Sequence, residues 1–214
     1  MKLTWIAQSG YCIESEDGIV YIDPVAITQP LPPADIVFLT HSHKDHFAIT
    51  DLAKICTAHT IIVATEDITQ TELSQLNFAE LIQVKPNEMG LAGFVSYTTT
   101  PAYNLDKPFH PRTQNWVGYV LIIAQKRFYF TGDCDAIPEL LEQTNLDYCI
   151  LPVSGIYVMN AQEASDIAKK IDAKTCIPCH YEYVVGSEAD ALAFTTKTKN
   201  AIILSPFVAI TLKN

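Results

Sequence analysis

Three imidazoles and a carboxylate fall within six positions, His41, His43, Asp45 and His46, directly after the apolar run Ile36-Val37-Phe38-Leu39. Side chains alternate along a strand with period two, so at a strand end His41 and His43 project to one side and can reach one cation. Where the chain curves into a loop, Asp45 and His46 can reach a second. The chain has six histidines, and three of them stand in this run. Imidazoles crowded together repel one another once protonated, so a solvated loop accounts poorly for the cluster. A nitrogen and oxygen donor set of this kind suits zinc, with manganese or iron as competitors.

Further donors follow at later strand ends. Asp133 sits in Thr131-Gly132-Asp133-Cys134-Asp135 after an apolar run, and His180 follows the strand-like Thr175 to Pro178. Asp23, in Asp23-Pro24, ends the run Ile19 to Ile22; it either supports the metal loop or simply terminates a strand. Cys176-Ile177-Pro178-Cys179-His180 has the C-x-x-C-H form of haem attachment, and its first four residues have the form of a redox dithiol. Both readings are set aside. Haem attachment normally needs export, and a redox C-x-x-C should open a helix, whereas this one closes a strand.

The run H-x-H-x-D-H resembles the signature of the metallo-β-lactamase superfamily and matches it at every defined position. Gly132-Asp133 resembles that family's G-D-T element, with Cys134 in place of the usual Thr, and Pro178 to Tyr181 resembles its P-x-H-Y. The anchors Asp23, His41 to His46, Asp133 and His180 occur in the family's order along nearly the whole chain, closest to its lactonase-like branch. This resemblance implies an α/β (α+β) fold, the four-layer αββα sandwich. It also implies a dinuclear zinc centre with His41 and His43 on one metal, Asp45, His46 and His180 on the other, and Asp133 between them. Asp23 would support the metal loop from behind.

A hydrolase of that kind uses a metal-bound hydroxide on an ester, lactone or phosphoester bond, and needs no Ser or Cys nucleophile. Asp45 and His46 are the residues implied in catalysis. The alternatives are a phosphodiesterase or nuclease of the same fold, or a non-catalytic relative that keeps the metal site. The pattern departs from the family at the third histidine of the first metal. It belongs near residue 103, where Tyr103-Asn104 stand, and the nearest imidazole is His110. Either the loop between Pro108 and Pro111 folds inward and His110 is a ligand, or the first metal keeps only His41, His43 and Asp133. We expect His110 to ligate.

Length and composition set the frame for these residues. At 214 residues with 49% hydrophobic content, the chain can form one large α/β domain over 1–214. A formal charge of −10 opposes binding to a phosphate backbone, so the expected partner is a small molecule and not a nucleic acid. Lys107 and Arg112, in the loop beside His110, would favour an anionic substrate, unless they are simply solvated charges. No apolar run reaches membrane-span length, and Leu3 to Ala7 meets Gln8-Ser9-Gly10 too soon for a signal peptide, so a cytoplasmic protein with reduced cysteines is expected.

The positioning elements read as two strand-rich halves, each followed by helices. Strands are expected at Lys2 to Ala7, Tyr11 to Ser15, Ile19 to Ile22, Ile36 to Leu39, Thr60 to Ala64 and Leu81 to Val84. The second half adds Phe94 to Pro101, Val117 to Ala124, Arg127 to Thr131, Asp147 to Val153 and Thr175 to Pro178, with Ala201 to Leu204 and Phe207 to Leu212 at the end. Helices are expected after a Thr50 cap, over Asp67 to Leu76, from Pro138 to Gln143, after an Asn160–Glu163 capping box and from Glu188 to Thr196.

Overall fold

The computed structural model describes residues 1–212, which group into two compact units. The first comprises Met1–Val84, Leu91–Val95 and residues 204–212. Its strands are β1 (Lys2–Ala7), β2 (Gly10–Glu14), β3 (Ile19–Ile22), β4 (Ile36–Leu39), β5 (Ile61–Thr65) and β6 (Glu80–Val84), with β13 (Ile210–Thr211) closing one edge. The sheet runs in the order β13-β1-β2-β3-β4-β5-β6. β1 to β3 are antiparallel, and from β3 through β6 each strand is parallel to the next.

Parallel strands lie deep, and β4 obeys that rule: all four of its residues are buried, which is why it reads as a continuous apolar run and not as an alternation. Removing each such side chain from water contributes about 1.5–3 kcal/mol. Helix α1 (Ile49–Ile55) packs Leu52 and Ile55 into the same cluster as Val37, Leu39, Ile62 and Ala64.

The second unit comprises Lys85–Gly90 and Ser96–Ile203. Its strands are β8 (Val95–Pro101), β9 (Val117–Ile123), β10 (Lys126–Phe130), β11 (Leu146–Pro152) and β12 (Ala173–Cys179), and β7 (Met89–Ala92) completes the order β12-β11-β10-β9-β8-β7. β8, β9 and β10 alternate in direction, whereas β10, β11 and β12 are parallel. Consequently β8, β10, β11 and β12 all end at one edge, and the loops that follow them share it. Helices α2 (Ala161–Ala168) and α3 (Glu188–Lys197) complete the unit, and α2 opens with the expected capping box between Asn160 and Glu163.

Some local expectations fail for physical reasons. Thr50 is not a cap: Ala48 holds that position with no side-chain bond. Residues 67–76 form turns instead of the expected helix, with Thr69 and Glu72 bonded reciprocally through backbone N–H groups and side chains. Ala201 makes a single bridge to Cys176, and only Ile210–Thr211 of the last run pairs, after Pro206 has removed a donor. β7 was hidden by its glycine. A Cβ on Gly90 would lie 2.3 Å from the Tyr97 hydroxyl, so only glycine lets that side chain lie across the strand.

Candidate metal centre

In the first unit, β3 and β4 run parallel with Ile22 opposite Phe38, so Asp23 and Thr40 leave the sheet side by side. Asp23 has φ 43, in the left-handed region, and its N–H donates to the Phe38 carbonyl at 3.0 Å. Holding a non-glycine residue there costs on the order of 1–3 kcal/mol and requires surrounding support. That support is explicit. The buried carboxylate accepts the Thr40 N–H at 2.8 Å, the Thr40 hydroxyl at 2.6 Å and His46 Nδ1 at 2.7 Å. Burial pushes the Asp23 carboxyl up, against the opposing pull of His46 and Thr40.

This network fixes tautomers. Because the Thr40 hydroxyl donates to Asp23, its oxygen must accept from His41 Nδ1 at 2.9 Å, which makes His41 Nε2 a lone-pair donor. His46 gives its Nδ1 proton to Asp23, so its Nε2 is likewise a lone pair, 3.8 Å from Asp45 Oδ2. Asp45 is itself held by Gln8 Nε2 at 2.9 Å. His41 Nε2 and His43 Nδ1 stand 3.2 Å apart. Two ligands of a tetrahedral zinc at 2.0–2.1 Å are separated by about 3.3 Å, so this pair has the spacing that a shared cation requires. The first unit thus brings His41, His43, Asp45 and His46 together.

The second unit gathers the others at its strand ends. Asp133 follows β10 after Gly132, whose φ is 67 and whose Cβ would fall 2.7 Å from the Val117 carbonyl oxygen, so only glycine serves. His180 follows β12 with φ 61, a second strained position, and its Nδ1 lies 3.0 Å from Ser154 Oγ beyond the end of β11. His110 is folded inward at 1% exposure. Its Nδ1 faces two acceptors, Asn104 Oδ1 at 3.1 Å and the Tyr157 carbonyl at 3.2 Å, and so must carry a proton. The amide is oriented by the His110 backbone N–H, which donates to the same Oδ1. Nε2 of His110 lies 3.3 Å, and Nε2 of His180 2.9 Å, from Asp133 Oδ2. With its Nδ1 facing those two acceptors, His110 turns Nε2 toward the Asp133 carboxylate.

The loop that delivers His110 is pinned by the two cations read as substrate contacts. Lys107 bonds to Asp135 and to the Val158 carbonyl, and Arg112 bonds to Glu139 at 3.0 Å while lying 4.7 Å over the Tyr103 ring. Their charge is thereby committed to carboxylates of the same unit. Sequence reading missed Gln8, Ser154, Tyr157 and the orienting role of Asn104. Asn104 stands close to where the third histidine was sought, and that place was its one signal.

None of the six cysteines is in a disulfide among the described residues. Burial pushes the Cys176 thiol up to about 11 and the Cys12 thiol up to about 12, so neither is a thiolate at neutral pH. Burial likewise raises Cys134, the residue that replaces the family's threonine. Among the described residues no helix is long and apolar enough to cross a membrane.

Comparison with known proteins gives these strand-end His and Asp donors a family. The profile of the Beta-lactamase superfamily domain matches residues 2–180, and the chain belongs to that family. A UPF0173 metal-dependent hydrolase of Methanosphaera stadtmanae is 25% identical over 95% of this chain and 93% of its own length. A solved structure of a candidate metal-dependent hydrolase from Parabacteroides distasonis superposes with TM-score 0.83 at 24% identity, covering 95% of this chain and 92% of that one. The metallo-β-lactamase fold protein YhfI of Bacillus subtilis gives TM-score 0.71 at 18% identity, with 98% of each chain covered. The mixed α/β fold with two large sheets is therefore the metallo-β-lactamase fold.

Proposed function

We propose that this chain is a metal-dependent hydrolase with two metal positions, as its resemblance to the superfamily's motifs implies, and that His41, His43, Asp45, His46, His110, Asp133 and His180 are the ligands. The observation that carries this reading is the tautomer logic. His41, His46 and His110 each have their rear nitrogen bound to an acceptor, which leaves Nε2 able to coordinate. The donor set of imidazole and carboxylate suits zinc, with manganese or iron as alternatives. When bound, such cations acidify water and polarise the oxygen of a scissile ester, lactone or phosphoester bond.

The protein groups have distinct tasks. Asp45, aimed by Gln8, is placed to orient an attacking water and accept its proton, while Asp23 and Thr40 hold His41 and His46 in register. The substrate is a small molecule, since a net charge of −10 opposes a polyanionic one. The metal-loaded protein assayed against carboxylic ester, lactone and phosphodiester substrates should turn over at least one class, and Asp45→Asn with full metal content should lose ~100-fold or more. Unchanged turnover in that variant would remove Asp45 from the chemistry.

A further inference from the structure

Exposed apolar side chains in the second unit gather on the loops that carry its donors. Leu105, Phe109, Ile156, Tyr183 and Val184 are each between 45% and 56% exposed. Leu105 adjoins Asn104, Phe109 adjoins His110, and Ile156 stands just beyond Ser154, while Tyr183 and Val184 closely follow His180. An apolar residue exposed singly is ordinary, but a group of them on loops at one strand-end edge marks a surface that binds something.

These loops are bonded to one another. Asn104 Nδ2 donates to the Tyr157 carbonyl at 2.9 Å, Lys107 Nζ reaches the Val158 carbonyl at 3.1 Å, and the Phe109 and Tyr157 rings meet edge to face at 4.6 Å. The Leu105 N–H donates to Asp135 Oδ2 at 2.8 Å, which ties the same segment to the loop that holds Asp133. The segment after His180 folds back on Ser154: a Cβ on Gly186, whose φ is 76, would lie 2.7 Å from the Ser154 Cβ. The apolar side chains therefore stand on a braced frame.

Charge narrows what they can bind. Lys107 is paired with Asp135 and Arg112 with Glu139, so neither offers a positive charge in surplus. Asp106 and Glu182 are exposed acids on the same loops. An anion would be repelled by them. We propose that these loops recognise the apolar part of an uncharged substrate, a carboxylic ester bearing an alkyl chain. The proposal rests on the metal-dependent hydrolase reading only for what holds the polar head of that substrate.

Alkyl hydroxamic acids from acetyl to octanoyl are the probes, because their metal-chelating head group is constant and only the chain varies. Calorimetry on the metal-loaded protein should show affinity rising at least ~30-fold from acetyl to octanoyl, a part of the roughly 4-fold per methylene that full removal from water would give. Ile156→Ser/Val184→Ser should weaken octanoyl binding at least ~5-fold. Ile122→Ser, which alters an exposed apolar residue paired with Arg127 at the opposite end of the strands, should leave the series as it is. A series flat in chain length, or a rise that the double variant leaves intact, would overturn the proposal. Failure of the metal reading looks different: no metal is retained and acetohydroxamic acid does not bind, while the rise from butanoyl to octanoyl still reports on the loops. Dimerisation, or flotation with phosphatidylcholine vesicles, that the double variant abolishes would assign these side chains to a second copy or a bilayer and would equally overturn it.

Discussion

Asp23 and His180 occupy left-handed backbone positions that side-chain-bearing residues rarely adopt, and both sit where donors are needed. Neither strain was visible in the sequence; Asp23-Pro24 was equally consistent with a plain strand end. The run His41 to His46 was legible because its chemistry is concentrated in six positions, and His110 was legible only as an imidazole near a gap. The supports were not, because Gln8, Asn104 and Ser154 are ordinary polar residues until folding sets them behind Asp45, His110 and His180. These supports can be tested singly. Asn104→Ala frees the His110 ring to rotate and to change tautomer, and we expect a 10–100-fold loss of affinity for the metal at that position, measured by competition with a chromogenic chelator. An affinity equal to wild type would show that Tyr157 alone fixes the ring.

Strand direction, more than any single residue, decides what can meet. The three parallel strands β10, β11 and β12 bring Asp133, Ser154 and His180 to one edge although they are far apart in sequence. Strand positions were readable from apolar runs; their order and direction were not, since pairing is set by packing between distant segments. β7 and residues 67–76 were misread because a glycine strand and a Thr-rich segment carry the wrong local signals. At the opposite end of the same strands, the Asp147 carboxylate ties three of them together, accepting Arg127 N–H from β10 and Lys174 Nζ from β12, each at 2.8 Å. Partial burial works to raise this carboxyl, but Lys174 and the Arg127 N–H outweigh it and hold it below the usual carboxylate range. A depressed carboxyl stabilises the fold above its unfolded value and loses that contribution as pH falls through the folded one. Lys174→Met should therefore lower stability at neutral pH by an amount that shrinks below about pH 4. Paired urea titrations would show this, and a difference constant down to pH 2 would contradict it.

For the whole molecule, family membership points to a metal-dependent hydrolase, and the net charge of −10 opposes a polyanionic substrate. On the proposed function the cations bind the folded chain and not the unfolded one, so metal removal should destabilise it. Prolonged dialysis against a strong chelator should lower Tm, and readdition of zinc should restore it by the linkage RT ln(1 + [L]/Kd), about 2.7 kcal/mol at 100 times Kd. A Tm indifferent to chelation would mean that the donors hold no structurally coupled metal.

The most direct test of the two-position reading is the metal content per chain, measured by plasma emission after dialysis, of wild type and His110→Ala side by side. We expect two tightly held metals in the wild type and one in the variant, because His110 is buried with its Nε2 directed at Asp133 and its Nδ1 proton committed elsewhere. Two equally tight metals in both proteins, or a single metal in both, would contradict the account.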